Sequence, residues 1–252
     1  MKTLSASVEG SQGRANPVLY FLYQFYKWLV YGPLLVLSTS IGAIMVVLIC
    51  RFSPRLASRV IARNWARFNT YTAPANIEVR GEGNFDPHAS YVVVVNHISQ
   101  FDILALYGWL DLDIKWVMKE ELRKAPFLGF AAAAMGHIFI NRRNPNAAIE
   151  KLNRAKDELP PGTSIIIFPE GTRKNEGGLG RFKRGAFMMS KNLNMPILPI
   201  TLVGTDKIVP AGGVDLFPGK AIMHIHPPIE VGNASIEELK TQTRSAIESV
   251  LV

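Results

Sequence analysis

Two short stretches of this chain carry side chains whose types and spacing permit chemistry. In the first, Asn96-His97-Ile98-Ser99-Gln100-Phe101-Asp102, an imidazole precedes a carboxylate by five positions. On one straight helix that offset turns the two side chains about 140° apart, so they meet only where a turn leads into a helix. A carboxylate on one imidazole nitrogen fixes the tautomer and leaves the other nitrogen to take a proton, which makes His97 with Asp102 a general base for a hydroxyl. Ser99 reads as a local cap or turn residue rather than a nucleophile. The single cysteine, Cys50, closes an apolar segment, where a thiol resists ionisation. Direct attack by an acceptor hydroxyl follows, without a covalent intermediate on the protein.

The second stretch is Phe168-Pro169-Glu170-Gly171-Thr172-Arg173. Gly171 allows an unusual backbone angle and close ligand approach. The Arg173 guanidinium suits a phosphate, and Glu170 is expected to orient that arginine or a ligand hydroxyl. Arg142, ending Gly136-His137-Ile138-Phe139-Ile140-Asn141-Arg142, is a second candidate anion ligand. Lys174, Arg181, Lys183 and Arg184 add positive charge nearby in sequence. A base and an anion site together point to acyl transfer onto an acceptor that carries a phosphate. His224 and His226 share a strand face, but no third ligand has suitable spacing, so neither a metal nor another cofactor is expected.

These stretches need elements to hold them. Each directly follows a β-branched apolar run, Tyr91-Val92-Val93-Val94-Val95 and Ser164-Ile165-Ile166-Ile167, which reads as a buried strand. From about residue 75, strand signals at 76–80, 91–95, 114–118, 137–141, 164–168, 197–203 and 221–226 alternate with helix signals at 102–110, 126–134, 145–158, 183–193 and 236–250. Ser235-Ile236-Glu237-Glu238 is a capping box for the last helix, and the Pro/Gly-rich stretch 209–219 reads as a loop beside the site. Such alternation predicts an α/β domain, residues 71–252, with a mostly parallel sheet flanked by helices.

Residues 1–70 read differently. From Trp28 to Cys50, 23 residues carry no charge, a length of roughly 34 Å as a helix and enough to cross a bilayer. A single span from Trp28 and a hairpin bent at Gly32-Pro33 that dips into one leaflet both remain open. Arg51, Arg55, Arg59, Arg63 and Arg67 recur every fourth position and predict a basic amphipathic helix at the membrane surface. By the positive-inside rule they place the catalytic domain on the cytoplasmic face. With 28 Lys and Arg against 20 Asp and Glu, the net charge is +8, which favours anionic partners. No basic run or nucleic-acid motif supports a nucleic acid among them, and the apolar segment argues against it.

The chain resembles the membrane-associated glycerolipid acyltransferases, above all those that acylate lysophosphatidic acid. Four blocks carry the resemblance in order: Asn96-His97-x4-Asp102, Gly136 to Arg142, Phe168 to Arg173, and Met195-Pro196-Ile197-Leu198-Pro199-Ile200. The resemblance implies that His97 is the base and Asp102 its partner, that Arg142, Glu170, Gly171, Thr172 and Arg173 bind the acceptor's glycerol phosphate, and that Pro199 belongs to a block associated with the acyl donor. Lys174 stands where the family often has serine. The implied reaction takes a fatty acyl group from acyl-CoA or acyl-carrier protein to the sn-2 hydroxyl of lysophosphatidic acid, forming phosphatidic acid. The alternatives are another lysophospholipid or glycerol 3-phosphate as acceptor, and a membrane lipid-binding protein without turnover.

Overall fold

The computed structural model describes residues 17–141, 151, 159–173, 178–212 and 215–251. The chain forms two compact units, Met1–Leu37 and Ser38–Val252. Helical structure begins with α1 (Pro17–Tyr26), passes through a π-helical turn (Lys27–Tyr31) and continues as α2 (Gly32–Cys50). Within this run, Phe21–Cys50 is long and apolar enough to cross a membrane, and only 11% of its most apolar window is buried, so it is not a core helix. The wider turn accommodates Pro33, which has no N–H to give; Gly32 N–H bonds back to the Lys27 carbonyl. A hairpin bend at Gly32-Pro33 is therefore not what the chain adopts. Its first reversal falls at Arg51–Ser53, where Phe52 and Ser53 N–H both return to the Ile49 carbonyl.

After the reversal, Ser53 caps α3 (Pro54–Leu56) by accepting the Leu56 N–H. A π-helical stretch (Ala57–Ala62) and α4 (Arg63–Thr72) follow. This helical arm packs back along α2: Trp65 Nε1 donates to Thr39 Oγ1 at 3.1 Å, and Ser38 Oγ to Asn69 Oδ1 at 3.0 Å. Small residues permit the approach, since a Cβ on Gly42 would already touch the Trp65 ring.

The arginine row has a task that its spacing did not reveal. Arg59 and Arg63 both reach Asp111. Arg63 also bonds the Leu110 carbonyl at 3.2 Å, and Arg67 Nε the Gly108 carbonyl at 2.8 Å. These carbonyls close α5 (Asp102–Trp109), where a helix presents unpaired acceptors and partial negative charge. Three of the five arginines thus pin the arm to the end of α5.

The rest is a seven-stranded sheet, comprising β1 (Ala75–Arg80), β2 (Val92–Val95), β3 (Asp113–Lys119), β4 (Ile138–Ile140), β5 (Thr163–Ile167), β6 (Ile197–Val203) and β7 (Gly219–Ile225). Their order is β1-β7-β6-β2-β5-β3-β4. Every neighbouring pair is parallel except β6–β7, as the alternation of strand and helix signals implied. Val92 to Val95 are fully buried, because β2 lies at the centre between β5 and β6. Further helices are α6 (Leu128–Ala134), α7 (Gly185–Leu193), the short α8 (Thr205–Ile208) and α9 (Ile236–Glu248); the capping box of Ser235 with Glu238 starts α9. One core joins Val92, Val94, Ile165 and Ile197 of the sheet to Phe187 and Met189 of α7 and Leu239 and Ile247 of α9. The expected helix at 145–158 lies outside the described residues, apart from Lys151.

Hydrogen bonds from Arg63, then from Arg59, hold the Asp111 carboxyl below the usual carboxylate range. Its contribution to stability is therefore present above the ordinary pKa of about 3.9 and lost as pH falls through the lower folded value. Asp111 is half exposed, so the effect is small. Asp111→Asn is expected to cost ~0.5–1 kcal/mol in denaturant unfolding at pH 7, with the difference from the parent shrinking as the solution is acidified below the ordinary carboxylate range.

Candidate active site

β2, β3, β4 and β5 run parallel, so their carboxyl ends share one edge of the sheet, the place where α/β proteins gather ligand groups. The His97 turn leaves β2 and the Phe168–Arg173 turn leaves the adjacent β5. At the end of β2, Asn96 is fully buried and its amide imitates a strand backbone. Its Nδ2 donates to the Leu202 carbonyl at 2.9 Å, and its Oδ1 accepts the Leu202 N–H at 2.7 Å. The main chain is thereby freed to turn while β6 remains satisfied.

The turn brings His97 and Asp102 together. His97 Nδ1 lies 2.8 Å from Asp102 Oδ2, which also accepts the Ile98 and Ser99 N–H groups, each at 3.0 Å. Asp102 Oδ1 accepts from Thr205 Oγ1 at 2.6 Å. Asp102 has no solvent exposure, yet four donors surround it. With Nδ1 committed to that carboxylate, Nε2 is the nitrogen left to accept a proton. The imidazole lies flat on Phe168, with centroids 3.8 Å apart and planes 12° apart, so its orientation is fixed as well as its tautomer. Ser99 takes the local role expected of it: its hydroxyl accepts the Phe101 N–H and donates to the Val209 carbonyl.

Glu170 departs from expectation. It is buried, its Oε1 accepts the His97 backbone N–H at 3.1 Å, and its Oε2 accepts the Gly180 N–H at 2.7 Å. The carboxylate neither orients Arg173 nor lines the cavity described below. It ties the second turn to the first, because an ionised carboxylate under cover needs its donors close. Gly171 has φ +77°, and a Cβ there would meet the Lys183 ammonium, so this turn does require glycine. Thr172 and Arg173 are exposed beyond it. Arg142 lies outside the described residues. The Met195–Ile200 block enters β6 inside the sheet, where Pro199 pairs with Val94, and none of its side chains lines that cavity.

The cavity has a volume of about 690 Å³. His97, Gly171, Thr172 and Arg173 border it, with Gly212 from the Pro/Gly-rich loop. From there it runs among apolar side chains of α2, the helical arm, α5, β3 and α6, including Val46, Ile61, Ile103, Val117 and Ala131. Lys119, at the end of β3, also borders it; sequence reasoning ended that strand one residue earlier and missed this cation. His137 sits deeper. Its Nε2 is 2.6 Å from the Tyr107 hydroxyl, and burial, aided by the Lys115 charge, pushes its pKa down to about 3. It is neutral at any physiological pH, so His97 is the histidine here placed to cycle a proton. The arrangement joins a fixed base, two cations and a long apolar space.

Comparison with known proteins agrees with this geometry. Residues 76–203 match the Acyltransferase family. The 1-acyl-sn-glycerol-3-phosphate acyltransferase of Pseudomonas aeruginosa is 31% identical over 205 residues, covering 78% of this chain and 79% of that protein. The chloroplastic 1-acyl-sn-glycerol-3-phosphate acyltransferase LPAT1 of Arabidopsis thaliana is 34% identical over 189 residues, 74% of this chain and 52% of its own. The chain thus spans about half the length of the chloroplast relatives it matches. The crystal structure of the 1-acyl-sn-glycerophosphate (LPA) acyltransferase PlsC from Thermotoga maritima superposes with a TM-score of 0.79 at 23% identity, covering 93% of this chain and 95% of that one, and so shares the fold. With the family match extending from β1 through β6 and enclosing both turns, this chain belongs to the acyltransferase family.

Proposed function

We propose that this protein transfers a fatty acyl group from a thioester, acyl-CoA or acyl-carrier protein, to the sn-2 hydroxyl of 1-acyl-sn-glycerol-3-phosphate, forming phosphatidic acid for phospholipid synthesis. The observation that carries this reading is the single cavity that begins at His97, has Lys119 and Arg173 on its border and continues through apolar side chains. A lysophosphatidic acid carries partners for all three: a free hydroxyl on its glycerol, a phosphate on one side of that hydroxyl and an acyl chain on the other. The names of the relatives support the same acceptor. His97 Nε2 accepts the hydroxyl proton as the oxygen attacks the thioester carbonyl. Collapse of the tetrahedral intermediate breaks the C–S bond, and the imidazolium returns the proton to the departing thiolate. Asp102 holds the imidazole and stabilises its cation throughout. Backbone N–H groups would stabilise the oxyanion.

His97→Ala is expected to lower turnover at least ~10²-fold with secondary structure intact, measured as thiol release with lysophosphatidic acid. Retention of more than about a tenth of the activity would remove the base from this scheme. Arg173→Ala is expected to raise KM for the phosphorylated acceptor roughly 10- to 100-fold, the loss of one charge-assisted contact, with KM for the thioester unchanged. An equal rise for both substrates would assign Arg173 to something other than the acceptor phosphate. A panel of lysophosphatidic acid, other lysophospholipids and glycerol 3-phosphate tests the acceptor itself.

The same reading makes the protein membrane-bound, anchored by its long apolar helix and with the catalytic domain facing the cytoplasm. Its helical run spends little of its apolar surface inside the protein, and such a surface binds a bilayer in a manner that salt does not screen. Membranes washed with carbonate and high salt are expected to retain the full chain, with release only in detergent. Release by salt alone would overturn the anchor.

A further inference from the structure

One exposed segment at the cavity is built under strain. Phe127 has φ 58° and ψ −56°, and the Leu128 N–H reaches back to the Pro126 carbonyl at 2.6 Å. This is the rare γ-turn with a positive central φ, which a bulky side chain adopts only where the surroundings enforce it. Gly129 permits the close packing behind it: its missing Cβ leaves room for the carbonyls of Leu122 and Arg123, which lie against it. The turn does not bury its aromatic ring. Phe127 is 48% exposed and Phe130, one helical turn on, 71% exposed. Leu122 and Leu128, at 40% and 42% exposed, also border the cavity. Exposed Arg123 and Lys124 lie between Leu122 and the turn, with Glu120 and Glu121 on the turn before; Glu121 is paired with Lys119.

Strain that raises two phenyl rings into solvent has no use in water. We propose that Leu122–Phe130 is a membrane-inserted portal. Phe127 and Phe130 enter the hydrocarbon edge of a bilayer, Arg123 and Lys124 meet anionic headgroups, and lipid chains pass beside Leu122 and Leu128 into the cavity. This contact is additional to the N-terminal helix and rests on the membrane-bound acyltransferase reading above. A bilayer is the occupant that fits, for three reasons. An apolar tip with adjoining cations matches the membrane interface. The same cavity is bordered by Thr39, Gly42, Ala43 and Val46 of α2, whose Ile41, Ile44 and Leu48 are themselves exposed. The cavity has the apolar lining that a lipid chain leaving hydrocarbon would need.

The test uses the full chain, with Cys50→Ser removing the only native thiol. Nitroxide labels are placed at Phe127→Cys and Phe130→Cys, and the protein is bound to phosphatidylcholine/phosphatidylglycerol vesicles. Both labels are expected to be open to oxygen and shielded from a water-soluble nickel chelate. Access to nickel on vesicle-bound protein overturns the portal and leaves the anchor standing. Shielding from both reagents means a protein partner or second copy and overturns it too. Protein that stays off the vesicles defeats the membrane reading as a whole.

A second measurement separates portal from scaffold. Phe127→Gly keeps a backbone that glycine adopts freely, so this variant is expected to unfold no earlier than the parent in detergent. On long-chain lysophosphatidic acid presented in vesicles its KM rises roughly tenfold or more, as loss of one buried phenyl implies. On a short-chain acceptor below its micelle threshold its activity stays within about twofold of the parent. Equal loss on both acceptors assigns Phe127 to folding instead.

Discussion

A carboxylate with no access to water needs each of its oxygens matched by donors, and Asp102 is such a carboxylate. Its four donors come from His97, Ile98, Ser99 and Thr205, so the requirement shapes more than one side chain. It folds residues 97–99 into a turn with two N–H groups pointing inward. It fixes the start of α5, which Asp102 itself opens. It also reaches Thr205, which follows β6. Removing any donor would leave part of a buried charge uncompensated, a cost of several kcal/mol in the worst case. The geometry of the base is thus a by-product of satisfying its neighbour.

Glu170 repeats the device one strand away. It too lies buried between backbone donors, one from the His97 turn and one from Gly180. Asp102 reaches the Thr205 hydroxyl and Glu170 reaches the main chain of the His97 turn and of Gly180, so two carboxylates tie four separate loops into one edge. Apolar packing then does the remaining alignment: Phe168 sets the plane of the imidazole and itself rests on Trp116. Beyond that edge small side chains such as Gly42, Ala43, Ala131 and Ala132 border the cavity together with the rings of Trp65, Tyr107 and Trp116.

The strands, their order of types and the pairing of His97 with Asp102 were legible because periodicity, caps and short turns are local properties of sequence. Glu170 was not, because its partners lie 73 and 10 residues away and nothing in Phe-Pro-Glu-Gly announces them. The protein partners of the arginine row were hidden for a related reason. A spacing of four shows that the side chains share a helix face, but not that the carbonyl end of α5 and Asp111 will face it. Lys119 escaped notice because a lysine closing a strand looks like any solvated end. Thr205 carried no signal at all, since its value depends on a carboxylate 103 residues earlier.

The sheet order also bears on how the molecule is made. β1 lies at an edge and its sheet neighbour is β7, which follows it by well over half the chain; Ala75 pairs with Gly219. During synthesis the apolar helix and β1 leave the ribosome ahead of the other strands, and β1 then waits for nearly the whole sheet before it has a partner. Such late closure across a long loop is slow. Meanwhile it exposes an unpaired strand edge to every other nascent chain nearby. If α2 reaches a bilayer early, the waiting strand is tethered at a surface and held apart from diffusing copies of itself. The protein's vulnerability to aggregation would therefore be set by the interval between membrane capture and the emergence of residues 219–225.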